Sequence, residues 1–167
     1  MRVLPDVVEP GLTVLFCGLA VGECAALRGH HHAGPGDSFW QLLHQSGLTP
    51  RQLRPDEEDM LLDYGLGITD VADVAGLPAT IEALRPRWVA ITGKGAASVI
   101  ARTLGHPAPG LGVTGWQLAG ADVFVLPSAS GANRRKDYDG RSSRWHWWRE
   151  LADAIEAPKT AESNYTK

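Results

Sequence analysis

Short apolar runs that alternate with glycine-rich turns and with helical patterns dominate this chain. Apolar runs over 13–17 and 88–92 are typical of buried strands, and two further strands are predicted over 113–118 and 122–126, around the turn Ala119-Gly120-Ala121. Apolar residues at helical spacing predict helices that begin near Ser38 and at Pro55, and helices over 77–85 and over about 142–156. A further helix is predicted after the turn Gly93-Lys94-Gly95, through Val99, Ile100 and Leu104. Alternating strands and helices favour an α/β fold. We expect a single three-layer α/β/α domain with a mainly parallel central sheet.

Local signals add detail to these helices. Ser38 is a candidate N-cap for the first helix. Gly65 and Gly67 are expected to break the chain before residues 68–71. In the last helix, one side is expected to be buried; it comprises Trp145, Trp148, Leu151, Ala152 and Ile155.

Length and composition indicate one ordinary intracellular domain. The 167 residues, 44% of them apolar, suffice for one domain over 1–157, followed by a flexible tail over 158–167. The chain has no apolar stretch of about 18 residues and no signal-peptide core, so we expect a protein of the cytoplasm or nucleoid without membrane contact. The two cysteines, Cys17 and Cys24, form neither a disulfide framework nor a paired zinc motif.

Charge is distributed unevenly along the chain. Residues 1–84 hold four Lys/Arg and twelve Asp/Glu, whereas residues 85–149 hold ten and three. The basic part includes residues 134–136, Arg141, Arg144 and Arg149. It is either a solvated surface or a local contact for a polyanion such as nucleic acid.

Two strands run directly into glycine-bounded turns, at 18–22 and at 127–131. Ligand sites in open parallel sheets lie beyond the carboxyl ends of strands, so these turns can frame one pocket. The loop over 29–36 is rich in ring side chains. Together these segments predict a cleft for a planar ligand.

Four ordered segments carry a family resemblance. They are Phe16-Cys17-Gly18-Leu19-Ala20-Val21-Gly22, the loop from Gly29-His30-His31-His32 to Phe39-Trp40, the stretch from Leu61 to Thr69, and Leu126-Pro127-Ser128-Ala129-Ser130-Gly131. From about Pro10 to Ile155 the chain resembles the mismatch-specific uracil-DNA glycosylases and their thymine-DNA glycosylase relatives, a branch of the uracil-DNA glycosylase superfamily.

The resemblance implies an activity and its partners. It implies a monofunctional DNA glycosylase that flips uracil out of DNA and hydrolyses its N-glycosidic bond, which initiates base-excision repair. The implied partners are double-stranded DNA with uracil mismatches and also single-stranded DNA. The resemblance further implies a monomer that needs no cofactor.

One departure from the family pattern concerns catalysis. The family's catalytic asparagine, which holds the attacking water, falls on Ala20, and a methyl group cannot orient water. By the resemblance, Asp70 faces the base pocket, and its carboxylate is our candidate catalytic group. The competing interpretation is that Asp70 only caps a turn.

The resemblance also assigns the base pocket. His32 falls where relatives place a ring that stacks on the flipped base, and His31 is a second candidate for contact with the base or the sugar-phosphate. The other implied pocket residues are Leu19, Ala20, Gly22 and Ser128. The rival interpretation of the three histidines is a metal site, but adjacent residues of an extended loop point in different directions, so we expect no metal.

The loop over 128–134, the DNA-entry loop, corresponds to the segment that relatives insert into the duplex. Its implied DNA-binding residues, together with the one that follows it, are Ser130, Gly131, Ala132, Asn133, Arg134 and Arg135. Ala132 is too small to fill the gap left by a flipped base, so Arg134 or Arg135 either fills it or binds phosphates. We therefore expect broad tolerance of the opposing base, of the excised base and of single strands.

Two other functions remain open at this point. Ala20 is compatible with a non-catalytic reader of uracil or abasic sites in DNA. A nucleoside hydrolase could use a similar pocket, although the basic stretch argues against it, because a free nucleoside needs no phosphate track.

Overall fold

The computed structural model describes residues 4–19, 29–130 and 138–157. These residues form a mostly parallel five-stranded sheet in the order β2-β1-β3-β5-β4, with β4 as an antiparallel edge strand. The expected α/β fold with a mainly parallel sheet is confirmed. The strands are β1 (Val14–Gly18), β2 (Leu66–Asp70), β3 (Trp88–Thr92), β4 (Gly112–Leu118) and β5 (Ala121–Leu126).

Helices flank the sheet and cover two separate apolar cores. One core contains Phe16, Phe39 and Trp148; the other contains Leu15, Ile81 and Ile100. Because Leu15 and Phe16 are adjacent in β1, they point to opposite faces of the sheet, and the domain therefore has three layers. The α-helices are α1 (Phe39–Gln45), α2 (Leu77–Leu84), α3 (Lys94–Thr103) and α4 (Trp145–Glu156).

Several local predictions need correction. Strand β2 begins at Leu66 and runs through Gly67, where the sequence predicted a break. The segment Pro55–Tyr64 is a 3-10 helix, kinked at Glu57, not a regular α-helix. Ser38 stands at the N-cap of α1, but Asp37 Oδ1 accepts the Phe39 N–H at 2.9 Å in its place.

The last helix buries most of the side that was expected. Trp148, Leu151 and Ala152 are buried and Ile155 packs against the core, but Trp145 is 36% exposed, and Trp147 is buried as well. Within the described ranges, none of the helices has both the length and the apolar character needed to cross a bilayer. Residues 158–167, expected to be a tail, lie outside the described residues.

Candidate active site

Asp70 lies at the carboxyl edge of the sheet. It is the last residue of β2 and pairs in register with Gly18, the last residue of β1. The Val71 N–H donates to the Gly18 carbonyl at 2.7 Å, so the two strands stay joined to their ends. Asp70 is only 9% exposed. The fold thus places a buried carboxylate beside the end of β1, which is followed by Leu19, a half-buried residue packed on the apolar core.

A second carboxylate, missed by the sequence analysis, lies next to Asp70. Asp6 accepts the Thr69 hydroxyl at 2.9 Å and the Asp70 N–H at 3.3 Å. It is held there because Val7 and Ile68 exchange two backbone hydrogen bonds of 2.9 Å. Burial raises the pKa of the Cys17 thiol, and the Asp6 carboxylate raises it further. Asp6 therefore adds negative charge to this edge of the sheet.

His31 is part of the protein interior. It is 3% exposed, and its N–H donates to Glu58 Oε2 at 2.9 Å. Its ring Nε2 lies 2.9 Å from the Pro5 carbonyl, which makes Nε2 the protonated nitrogen. The Trp40 indole N–H donates to the His31 carbonyl at 3.2 Å. These contacts favour a structural role for His31, which connects the loop over 29–36 to the N-terminal segment around Pro5.

His32 forms an aromatic platform. Its ring stacks on Phe39 with centroids 4.0 Å apart and an interplanar angle of 10°. Its Nδ1 lies 2.9 Å from Asp37 Oδ2, and the side chain keeps 22% of its surface exposed. Its φ of +54° is left-handed, a conformation that histidine adopts more readily than most residues. Phe39 covers one face of the ring, so a base can stack only on the other face.

The three histidines contact different groups. His30 Nδ1 lies 3.3 Å from Glu58 Oε1, whereas His31 binds the Pro5 carbonyl and His32 binds Asp37. Over the part of the chain that the structure describes, no three His, Cys, Asp or Glu side chains are grouped as metal ligands. The geometry gives no support to the metal interpretation of this loop.

Ser128 and Ser130 follow β5 at the same edge of the sheet. The Ser130 N–H donates to Ser128 Oγ at 3.1 Å, and the Ser38 N–H donates to the Ala129 carbonyl at 2.8 Å. Ser128 lines a cavity of about 260 Å³ together with Gly93, Lys94 and Tyr138. His32 lines a separate cleft of about 370 Å³.

The remaining assigned residues, Ala20, Gly22, Gly131, Ala132, Asn133, Arg134 and Arg135, lie outside the described residues, as do Cys24 and Lys136. Asp70 and Leu19 lie at the ends of neighbouring strands. His32 lies on the loop before Ser38, and Ser128 lies on the loop whose Ala129 carbonyl accepts the Ser38 N–H.

Three arginines of the basic stretch are engaged within the protein. Arg141 pairs with Glu150 and lies 3.9 Å above the Trp147 ring. Arg149 binds the Ser46 carbonyl and Asp153. Arg144 binds three groups near the DNA-entry loop. These contacts favour a structural role for the three guanidinium groups over a direct contact with nucleic-acid phosphates.

A family model described as the uracil DNA glycosylase superfamily matches residues 5–152. The chain belongs to this superfamily. Membership supports hydrolytic DNA glycosylase activity in general, with DNA as the partner. Asp70, His32, Ser128 and Ser130 all lie inside the matched range.

A solved structure has the same fold. It is the solution NMR structure of a Methanosarcina acetivorans protein provisionally described as a uracil DNA glycosylase. The two chains share 18% identity, with 92% of this chain and 97% of that chain covered, and the TM-score is 0.61. At this level of identity the similarity supports the fold.

Proposed function

We propose that this protein excises uracil from mismatched DNA, in the manner of the mismatch-specific branch, with Asp70 as the catalytic carboxylate. The observation that carries the proposal is the position of Asp70, a buried carboxylate in register with Gly18 at the end of the first motif strand. Two residues beyond Gly18 stands Ala20, which cannot hold a water molecule. Asp70 supplies, from the neighbouring strand, the polar group that this motif lacks.

The reaction is hydrolysis of the bond between C1′ of the deoxyribose and N1 of uracil. The bond breaks with its electron pair leaving on uracil, and the sugar acquires oxocarbenium character. An ionised Asp70 stabilises this cation and accepts a proton from the water that attacks C1′. Uracil leaves as an anion and takes up a proton from water, and Asp70 releases to solvent the proton that it accepted. The products are uracil and an abasic site, the substrate with which base-excision repair continues.

The exposed face of His32 provides a stacking surface for the flipped base. Its ring stacks nearly parallel to Phe39, and a hydrogen bond with Asp37 fixes its orientation. A flipped nucleotide leaves the duplex at an energetic cost, which is smallest when the base is mismatched or already single-stranded. With Ala132 in the DNA-entry loop as a poor plug, we propose tolerance of different opposing bases and of single strands. We further propose that the protein acts as a monomer inside the cell.

The test is release of labelled uracil from DNA under single-turnover conditions. The substrates carry uracil opposite guanine, opposite adenine and in a single strand. Asp70→Asn and Asp70→Ala are each expected to slow release by at least about a hundredfold, the usual contribution of a general base. Asp63→Asn is the matched control, because Asp63 is an exposed residue of the 3-10 helix.

Three outcomes separate the alternatives. Release that collapses in both Asp70 variants but not in the control supports the proposal. Release that survives both changes leaves a glycosylase with a different catalytic group. DNA binding without any release by the wild type indicates the non-catalytic reader that Ala20 allows.

A further inference from the structure

Arg144 connects two loops through one guanidinium group. Its Nη1 donates to the Ser128 carbonyl at 2.8 Å and to the Ser130 carbonyl at 3.2 Å, and its Nη2 donates to Ser38 Oγ at 3.3 Å. Ser128 and Ser130 begin the DNA-entry loop, whereas Ser38 precedes α1. Arg144 itself directly precedes α4, so the contacts with Ser38 link positions 106 residues apart in sequence.

A backbone bond reinforces the same junction. The Ser38 N–H donates to the carbonyl of Ala129, which is 1% exposed. Ser38 is flanked by Asp37, which binds His32, and by Phe39, on which the His32 ring stacks. Ser38 is therefore bonded to the start of the DNA-entry loop, and its two sequence neighbours contact the His32 ring.

The chemistry of the junction suits arginine. Its planar guanidinium directs several N–H donors at once to acceptors in fixed positions, whereas a lysine ammonium is a compact point charge on a flexible stem. Three of the five N–H donors of Arg144 are directed at two carbonyls and a hydroxyl of the protein. We therefore expect its effect on DNA to pass through the loop that it holds.

We propose that Arg144 is a positioning residue for base excision from duplex DNA. By fixing the start of the DNA-entry loop against the His32 platform, it sets where the loop enters the helix relative to the flipped base. This inference rests on the proposed function. It predicts that loss of the junction impairs duplex substrates selectively, because a single strand has no stacked gap for the loop to fill.

The kinetic test compares uracil release from a G·U duplex with release from a single strand. Arg144→Gln is expected to slow the duplex reaction by about tenfold to a hundredfold, the usual effect of misplaced reacting groups. The single-stranded rate is expected to stay close to that of the wild type. Arg144→Lys keeps the charge but can form fewer of the hydrogen bonds. Its duplex rate is expected to lie between those of Arg144→Gln and the wild type.

Arg87→Gln is the matched control. Arg87 also binds two carbonyls, those of Ile155 at 2.9 Å and Ala157 at 3.0 Å, but it lies at the amino-terminal end of β3, away from the proposed site. The control is expected to leave the ratio of duplex to single-stranded rates unchanged. If Arg144→Gln leaves the ratio of duplex to single-stranded rates unchanged, whether both rates fall equally or neither falls, the proposal is overturned. If Arg144→Gln does not fold, Arg144→Lys decides the question by the same ratio.

A second measurement does not depend on activity. Hydrogen exchange of the Ser38 amide reports the bond to the Ala129 carbonyl, and it should be faster in Arg144→Gln than in the wild type or Arg87→Gln. Faster exchange supports the junction, and unchanged exchange contradicts it. If the wild type releases no uracil, the proposed function fails, and the exchange result alone decides whether Arg144 holds the loop.

Discussion

Asp6 and Asp70 are 64 residues apart in sequence, yet the Asp6 carboxylate accepts the backbone N–H of Asp70 at 3.3 Å. The same carboxylate accepts the Thr69 hydroxyl, so it orders the last two residues of β2. It also brings a negative charge close to the group that we propose as the catalytic base. Asp6 therefore belongs to the surroundings of the proposed catalytic carboxylate.

Asp6→Ala should slow base release because it loosens the end of β2. The change removes the acceptor of the Thr69 hydroxyl and of the Asp70 N–H, so the Asp70 side chain is held less firmly. We expect single-turnover release from a G·U duplex to slow by about tenfold. Asp6→Asn, which keeps an acceptor oxygen, should lie closer to the wild type. Equal rates in Asp6→Ala and the wild type contradict this role of Asp6.

Gly67→Ala should destabilise the protein and disturb the position of Asp6. A Cβ on Gly67 would lie 2.5 Å from the Val7 carbonyl oxygen and 2.6 Å from Leu12 Cδ1. Because Val7 is backbone-bonded to β2, the N-terminal segment must move, at a cost of about 1–3 kcal/mol. Urea denaturation measures the loss of unfolding free energy. Gly95→Ala is the control, because a Cβ there meets nothing within 4 Å.

The sequence pattern predicted strand β3 correctly but missed the start of β2. The apolar run over 88–92 predicted β3 (Trp88–Thr92) residue for residue, because a strand buried on both faces has an unbroken apolar pattern. Gly65 and Gly67 concealed the start of β2, since glycine usually interrupts a strand. Here Gly67 is needed because another backbone approaches it closely. That approach involves Val7, which a local pattern cannot reveal.

The candidate site was less accessible to sequence reasoning. The resemblance singled out Asp70, but no local pattern predicted the strand at whose end the structure places it. The contacts of Asp6 and Arg144 span 64 and 106 residues, and local spacing carries no signal for them. Helix α4 illustrates a further limit, because Trp145 fits the helical stripe but is 36% exposed beside Gln45, to whose carbonyl its indole N–H donates.

Glu57→Gln should destabilise the protein at neutral pH but less so in acid. Hydrogen bonds from Arg51, at 3.0 and 2.7 Å, and from the Arg54 N–H hold the pKa of Glu57 at about 2, below its ordinary 4.5. Because the folded pKa is the lower one, this stabilisation is full above pH 4.5 and is lost as the pH falls towards 2.

Urea denaturation at pH 6 and pH 3 tests this. The difference in unfolding free energy between wild type and Glu57→Gln should be smaller at pH 3. It should also shrink with added salt, because about half of the Arg51 side chain is exposed to solvent and its ion pair is screened. A difference that is equal at both pH values contradicts the role of Glu57.

His32→Ala should slow base release if the free face of the ring stacks on the flipped base. Stacking of a base on an aromatic side chain contributes about 1–3 kcal/mol, which corresponds to a reaction slower by about fivefold to about 150-fold. His32→Phe keeps a ring on Phe39 and should retain most of the activity. Single-turnover release from a G·U duplex measures both variants.

The left-handed backbone of His32 requires its own control. Asparagine adopts a φ near +54° readily but has no ring, so His32→Asn separates the conformation from the stacking surface. It should be as slow as His32→Ala. If His32→Asn is fast, the backbone and not the ring is what the site requires. If His32→Phe is as slow as His32→Ala, the imidazole acts as a hydrogen-bonding group, because phenylalanine supplies a ring but neither donor nor acceptor.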